Sequence, residues 1–194
     1  MRILFIGSIK FSENILKNLV ESSENIVGVV SLKSSAQNAD YADISKIAKL
    51  NNIDFIVIDD INSKENVSWI REKSPDIIFC FGWSRLLRRE ILDIPKIGVL
   101  GYHPSLLPAN RGRHPIIWSL VLGLKETGST FFFMDEKADT GDIISQKKIL
   151  ISDEDYAIDL YNKLQKSAEN QIKEFLPKLK NGTISKVKQS FMKS

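Results

Sequence analysis

The sequence predicts an α/β fold with a Rossmann-like, mostly parallel twisted sheet and helices on both faces. In the first half of the chain, short apolar runs alternate with amphipathic stretches, a pattern typical of strand–helix–strand units. The runs at 3–6 and 77–81 are apolar throughout, as expected of parallel strands that are buried on both faces. In the second half, two strand-like runs flank a tight turn, and a long amphipathic helix follows.

The elements of the first half follow from these patterns in order. Strands are expected at residues 3–6, 26–30, 55–58, 77–81 and 97–102. Helices are expected at 11–21, 42–50 and 63–73, the last capped by Ser63, with a polar loop at 33–40. Ligands of open α/β sheets bind beyond the carboxyl ends of the strands. The loops after residues 6, 81 and 102 are therefore the first places to look for a site.

The second half has a different organisation. A helix begins at Pro115, and strands are expected at 130–135 and 143–151 around a turn at 138–141. A long helix over 153–176 has Ser152 as its expected cap and Pro177 as its expected end. Its expected buried positions are Ala157, Leu160, Leu164, Ala168, Ile172 and Phe175. We expect one catalytic domain over 1–176 and a short basic extension over 177–194.

Composition narrows the classes of protein. The chain has 194 residues, is 43% hydrophobic and carries a net charge of +3, too small to indicate nucleic-acid binding. It contains neither an apolar stretch long enough to cross a membrane nor a recognisable signal peptide, so a cytoplasmic protein is expected. The single cysteine, Cys80, lies in an apolar run and is expected to be a buried thiol. The spacing of histidine, cysteine and acidic residues predicts no metal site.

A histidine-bearing loop is the main candidate for chemistry. His103 follows the fifth strand directly, and two prolines restrict the backbone after it, before the chain's second histidine, His114. An imidazole held on a rigid loop can exchange protons near neutral pH. A histidine at a strand end is more often structural than catalytic, however, and Asp139 before a glycine suits a plain turn residue. These alternatives stay open on position alone.

Two longer segments carry a resemblance. HPSLLPANRGRHPIIW (103–118) and TGSTFFFMDEKADTGDII (127–144) closely resemble the formyltransferases that use 10-formyltetrahydrofolate, and the similarity extends over about residues 2–165. The resemblance implies an enzyme with His103 and Asp139 as its catalytic residues. It also implies that folate contacts come from Trp83, Arg85, Leu86, Leu87, Asp135 and Asp139.

In that chemistry an amine attacks the formyl carbon, and a tetrahedral oxyanion forms before the folate nitrogen leaves. An imidazole can relay the proton or stabilise the oxyanion, and a carboxylate can orient the ring. This chain departs from the family pattern at Gly101. The family normally has an asparagine at this position, and the resemblance implies that its amide helps to bind the formyl oxygen. Losing one such donor costs about 10²–10³ in rate in other acyl-transfer enzymes. Three alternatives stay open. Another donor replaces the asparagine, for example a backbone amide, a water, Asn110 or His114; or the enzyme is slow but functional; or the chain no longer catalyses formyl transfer and uses the pocket for another reaction or for ligand binding.

The acceptor is predicted from the branch that the loop resembles. The run 110–118 is most similar to enzymes that formylate nucleotide-linked amino sugars for surface polysaccharides. Residues expected to contact that substrate are Lys10, Arg111, Gly112, Arg113 and His114. A glycinamide ribonucleotide acceptor is the alternative, weakened by bulky Ile9 in the first turn, and the initiator-tRNA branch carries a further domain that binds RNA. Formylfolate hydrolysis and ligand binding without turnover also stay open. We expect small-molecule substrates and no nucleic acid or membrane partner. The resemblance also implies a homodimer as one option, since members of the family often form dimers.

Overall fold

The computed structural model describes residues 1–33 and 40–189. Most of the predicted polar loop at 33–40 lies outside these residues. The chain divides into two compact units, Met1–Leu100 and Gly101–Ser194. Within the described residues, no helix is both long enough and apolar enough to cross a membrane.

The first unit alternates strands and helices. In chain order its elements are β1 (Ile3–Ile6), α1 (Lys10–Glu21), β2 (Ile26–Leu32), α2 (Ser45–Leu50), β3 (Phe55–Ile58), α3 (Lys64–Glu72), β4 (Ile77–Cys80) and α4 (Arg89–Leu92). The strands pair in the order β3–β2–β1–β4, and all three pairings are parallel. Phe5 lies opposite Val29 on one side and Phe79 on the other.

Burial explains why these segments form strands and helices. Every residue of β1 and β4 is buried, as expected for central parallel strands. Helix α1 has a buried apolar stripe, which consists of Phe11, Ile15, Leu16 and Leu19. Ser63 caps α3 as predicted, with its hydroxyl accepting a hydrogen bond from the Asn66 amide.

The second unit contains β6 (Glu126–Phe133), β7 (Ile143–Leu150), α5 (Pro115–Val121) and α6 (Ala157–Lys180). Strand β5 (Gly98–His103) carries the chain into this unit and ends at His103. β6 and β7 form an antiparallel hairpin in which Thr130 lies opposite Gln146. The ring of Phe131 packs on that of Phe175 of α6, with centroids 5.0 Å apart. The parallel strands of the first unit and this hairpin confirm the predicted α/β class.

The long helix differs from the prediction at both ends. It begins at Ala157, because Asp159 accepts a hydrogen bond from the Tyr156 amide (3.0 Å), whereas Ser152 belongs to a preceding turn. It continues through Pro177 to Lys180, since a proline in the last turns removes a single backbone donor while Leu176 and Leu179 are still buried. Ala157 is exposed rather than buried.

Candidate active site

His103 lies at the end of β5 and is buried, with its side chain 7% exposed. Its Nε2 atom is 2.8 Å from the carbonyl oxygen of Asn110, seven residues further along the loop. A carbonyl oxygen only accepts hydrogen bonds, so Nε2 carries a proton. The loop therefore fixes both the orientation and the tautomer of the neutral imidazole, and leaves the lone pair on Nδ1.

Asp139 faces that second nitrogen. The Oδ1 atom of Asp139 is 3.6 Å from His103 Nδ1, and the carboxylate is 21% exposed. If Nδ1 accepts a proton, that proton lies on the side of the ring that faces the Asp139 carboxylate. The pair can therefore accept a proton at Nδ1, hold it, and return it.

Several contacts hold the Asp139 turn. Asp139 has a left-handed backbone (φ 57°), and its Oδ2 accepts a hydrogen bond from the Gly112 amide at 3.1 Å. Its carbonyl oxygen accepts from Arg111 Nε and from Gln189 Nε2, each at 3.0 Å. Left-handed backbone is strained for a residue with a Cβ atom, so these contacts keep the carboxylate in place.

Gly141 shapes the same turn through close packing. A Cβ atom at this position would lie 1.6 Å from the carbonyl oxygen of Phe133. No side chain fits there, which explains the glycine two residues after Asp139. Within the turn, Asp135 is exposed, and its Oδ1 accepts from the Lys137 amide (2.9 Å) and the Thr140 hydroxyl (2.6 Å).

The space beside Gly101 is filled with apolar atoms. A Cβ atom on Gly101 would lie 2.9 Å from Met134 Cγ and 3.0 Å from the ring of Phe132. Both distances are shorter than an ordinary van der Waals contact of 3.4–4 Å. An asparagine would not fit here unless these neighbours moved. The side chains of Met134 and Phe132 therefore suit a glycine at position 101 rather than the asparagine of the family pattern.

The residues expected to contact the acceptor differ in their surroundings. Arg111 is committed to the Asp139 carbonyl and, through Nη2, to Gln189 Oε1 at 2.6 Å. Gly112 has φ 104°, which favours glycine. Arg113 and His114 are both exposed, and His114 precedes α5 with a left-handed backbone.

In the first unit, the segment that is expected to bind folate, residues 83–87, follows β4; it is called the folate segment below. The indole Nε1 of Trp83 is buried and has no hydrogen-bond partner among residues 1–33 and 40–189. Leu87 is buried, whereas Arg85 and Leu86 are exposed. Asn62, just before α3, binds the backbone of this segment. Its side chain donates to the Leu86 carbonyl (3.0 Å) and accepts from the Arg88 amide (2.8 Å).

Backbone amides in the turn between β1 and α1 donate hydrogen bonds to other groups of the first unit. The Ile9 amide donates to Ser12 Oγ (3.3 Å), and the Lys10 amide donates to the Asp40 carbonyl (3.0 Å). The Lys10 side chain is half exposed and forms an ion pair with Glu13. These amides already have acceptors, which makes the turn a weaker anion cradle than free helix N-terminal amides would be.

Cys80 is buried at the end of β4, as predicted, and burial raises the pKa of its thiol. It is therefore a poor nucleophile. In the described part of the chain, no group of three or more histidine, cysteine, aspartate or glutamate residues is placed to hold a metal ion.

A family model described as formyl transferase matches residues 1–176. The chain belongs to the formyl transferase family. The match includes both His103 and Asp139, and it confirms the resemblance carried by the segments 103–118 and 127–144.

Among curated proteins of this family, the methionyl-tRNA formyltransferase of Acetivibrio thermocellus is 33% identical over 193 residues, covering 97% of this chain and 62% of that protein. The enzyme of the same name from Thermotoga maritima is 32% identical, covering 95% of this chain and 60% of that protein. The chain thus spans about three-fifths of the length of these relatives.

Solved formyl transferase structures share the fold. Phosphoribosylglycinamide formyltransferase from Bacillus halodurans is 26% identical, with a TM-score of 0.79, covering 92% of this chain and 95% of that one. A sugar 3N-formyl transferase crystallised with dTDP and 5-N-formyl-THF has a TM-score of 0.76 at 24% identity, covering 99% and 67%. These matches confirm the predicted fold, the second by structural similarity alone.

Among the predicted site residues, His103 and Asp139, 36 residues apart in sequence, lie next to each other. Their catalytic roles stay predictions, as do the folate and acceptor roles of the other residues, the domain boundary at 176, the homodimer and the cytoplasmic location. Asn62 and Gln189 were missed, because each acts mainly on backbone groups and no motif marks a residue of that kind.

Proposed function

We propose that this chain catalyses transfer of a formyl group from 10-formyltetrahydrofolate to a primary amine. The observation that carries the proposal is the buried His103–Asp139 pair, with Nε2 held by the Asn110 carbonyl and Nδ1 facing the carboxylate. Membership of the formyl transferase family supports it, as do relatives named for formyl transfer. Two structural neighbours were crystallised with a formyl-folate or folinic acid.

The chain's own residues supply the proton transfers. The amine nitrogen bonds to the formyl carbon and gives up one proton, which His103 accepts at Nδ1 next to Asp139. As the carbon–nitrogen bond to folate breaks, the leaving nitrogen takes that proton from Nδ1. The products are a formamide and tetrahydrofolate, and His103 returns to its starting tautomer. The low exposure of the pair strengthens its mutual attraction.

Trp83 is the residue of the folate segment that best fits a bound ligand. Its buried indole N–H has no acceptor among the described residues, and such donors are normally satisfied. Folate carries carbonyl oxygens and ring nitrogens that accept hydrogen bonds. We propose that Trp83 donates to one of them, with Arg85, Leu86 and Leu87 beside it and Asp135 and Asp139 as further contacts.

For the acceptor, we propose an amine on a nucleotide-linked sugar. The resemblance of residues 110–118 supports this choice, and a structural neighbour from Helicobacter canadensis was crystallised with dTDP-3-aminofucose. Of the basic residues expected to bind its phosphates, Lys10 is paired with Glu13 and Arg111 is engaged with Asp139 and Gln189. Exposed Arg113 is therefore the first choice, beside Gly112 and His114.

Methionyl-tRNA is the second candidate acceptor, because the curated relatives that match over nearly the whole chain are methionyl-tRNA formyltransferases. This candidate conflicts with our expectation that the protein has no nucleic-acid partner. A glycinamide ribonucleotide acceptor has less support, since the amides of Ile9 and Lys10 that could bind its phosphate already donate within the chain.

The test follows tetrahydrofolate release from 10-formyltetrahydrofolate with dTDP-linked amino sugars, methionyl-tRNA and glycinamide ribonucleotide as acceptors. We expect product with an amino sugar, lost in His103→Gln and reduced in Asp139→Asn, which keeps a side chain tolerated at positive φ. Product with methionyl-tRNA would establish the second candidate. Formate release without an acceptor would establish a hydrolase, and binding of 5-formyltetrahydrofolate with no product would overturn the proposal.

A further inference from the structure

The segment 186–189 packs along the β6–β7 hairpin and reaches the Asp139 turn. Val187 and Ile143 exchange two backbone hydrogen bonds, each 2.8 Å long. The ammonium of Lys186 lies 3.9 Å from the ring centroid of Phe133. These contacts fix the register of the segment, so that Gln189 arrives at Asp139.

The amide of Gln189 is fully used at that position. Its Nε2 donates to the carbonyl oxygens of Asp139 (3.0 Å) and Gly141 (2.8 Å), while its Oε1 accepts from Arg111 Nη2 (2.6 Å). Carbonyls only accept and a guanidinium only donates, so the orientation of the amide is determined. In Gln189→Glu, a carboxylate oxygen would replace Nε2 and would face the carbonyl oxygens of Asp139 and Gly141.

Gln189 and Arg111 therefore both bind the turn that carries the Asp139 carboxylate. Both donate to the same Asp139 carbonyl, and they are hydrogen-bonded to each other. The turn needs support because Asp139 has φ 57°. The carboxylate on this backbone is the group that faces His103 Nδ1 at 3.6 Å.

We infer that Gln189 is a positioning residue for formyl transfer, acting through the Asp139 turn on the His103–Asp139 pair; the inference rests on the function proposed above. Gln189 does not touch the reacting atoms. It keeps the carboxylate at its distance from Nδ1, and it is hydrogen-bonded to Arg111, which binds the same Asp139 carbonyl. A misplacement of about 1 Å in such a group can cost up to about 100-fold in rate.

The test compares Gln189→Ala and Gln189→Glu with Lys188→Ala, an exposed neighbour on the same segment. We expect kcat to fall about 10- to 100-fold in both Gln189 variants, with a much smaller change in KM for the folate, because most of the proposed folate contacts lie on residues 83–87, which Gln189 does not touch. Lys188→Ala should behave as wild type. Equal kcat in wild type and both Gln189 variants would overturn the inference.

A second measurement separates this inference from the proposed function. The chain has two histidines, so the ring ¹⁵N signals of His103 can be identified by comparison with His114→Asn. We expect those signals to move in Gln189→Ala and Gln189→Glu but not in Lys188→Ala. If wild type lacks turnover and the signals move, the proposed function fails, while the positioning of the His103–Asp139 pair by Gln189 stands. If the signals stay fixed in folded Gln189 variants, the positioning role fails.

Discussion

Replacing Gly101 with alanine should destabilise the protein, although the same change at an uncrowded strand position would stabilise it. The added Cβ would lie 2.9 Å from Met134 Cγ and 3.0 Å from the Phe132 ring. Overpacking of this kind costs about 1–3 kcal/mol, whereas replacing glycine by alanine where the backbone permits it gains about 0.4–1 kcal/mol through the unfolded state. The packing effect is the larger, so we expect a net loss of about 1–2 kcal/mol in the free energy of unfolding.

Urea unfolding followed by tryptophan fluorescence measures this loss. With an m-value of about 2 kcal/mol/M, the midpoint should fall by about 0.5–1 M. Met134→Ala removes the nearest atom, so Gly101→Ala should cost at least about 0.5 kcal/mol less in that background. A stabilising Gly101→Ala, or the same cost in both backgrounds, would show that the space beside Gly101 is not filled as described.

The same packing bears on the missing asparagine. Gly101→Asn alone should lower stability further than Gly101→Ala, because its side chain extends beyond the position of Cβ. We expect the asparagine to be accommodated better when Met134 is shortened to alanine, and any gain in formyl transfer to appear only in that double variant. A gain in the single variant would contradict this expectation.

Three further predictions follow from individual residues. Gly141→Ala, whose Cβ would lie 1.6 Å from the Phe133 carbonyl oxygen, should cost about 3 kcal/mol in urea unfolding and abolish turnover; wild-type stability would refute the close approach. Burial raises the pKa of Cys80, so a disulfide reagent at pH 8 should label the thiol only after denaturation, and rapid native labelling would contradict its burial. The hydrogen bond from Lys10 lowers the pKa of Glu13 below 4.5, so Glu13 stabilises the fold above that pH and loses this effect as the pH falls through its lowered pKa. Glu13→Gln should cost about 0.3–0.5 kcal/mol at pH 7 and progressively less as the pH falls below 4.5, and a cost that does not shrink on acidification would count against the ion pair.

The fold was predictable where apolar pattern and burial coincide. β1 and β4 are continuous apolar runs because both of their faces are buried, and their positions matched to within one residue. The start of β6 was missed because its first residues are polar, yet Thr127 and Ser129 are buried there. Helix α4 has four residues, too few to show a helical period.

The site was predictable only as far as motifs extend. The resemblance pointed to His103 and Asp139, and the structure places the two side chains next to each other. The resemblance gave no indication of Gln189 or Asn62, most of whose partners are backbone carbonyls and amides that any sequence possesses. Arg111 was expected to bind phosphate on the basis of its charge. Its contacts are with Asp139 and Gln189, and such contacts depend on three segments distant in sequence meeting in space.

The apolar packing beside Gly101 also affects the chemistry expected at His103. The two residues are two positions apart on β5, so they share a face of the strand, and Phe132 and Met134 fill the space at Gly101. The glycine and its apolar neighbours supply no polar donor for the oxyanion at this position. We propose that protonated His103 contributes to oxyanion stabilisation as well as to proton transfer, so His103→Gln should lose more activity than Asp139→Asn, because only the first removes both contributions.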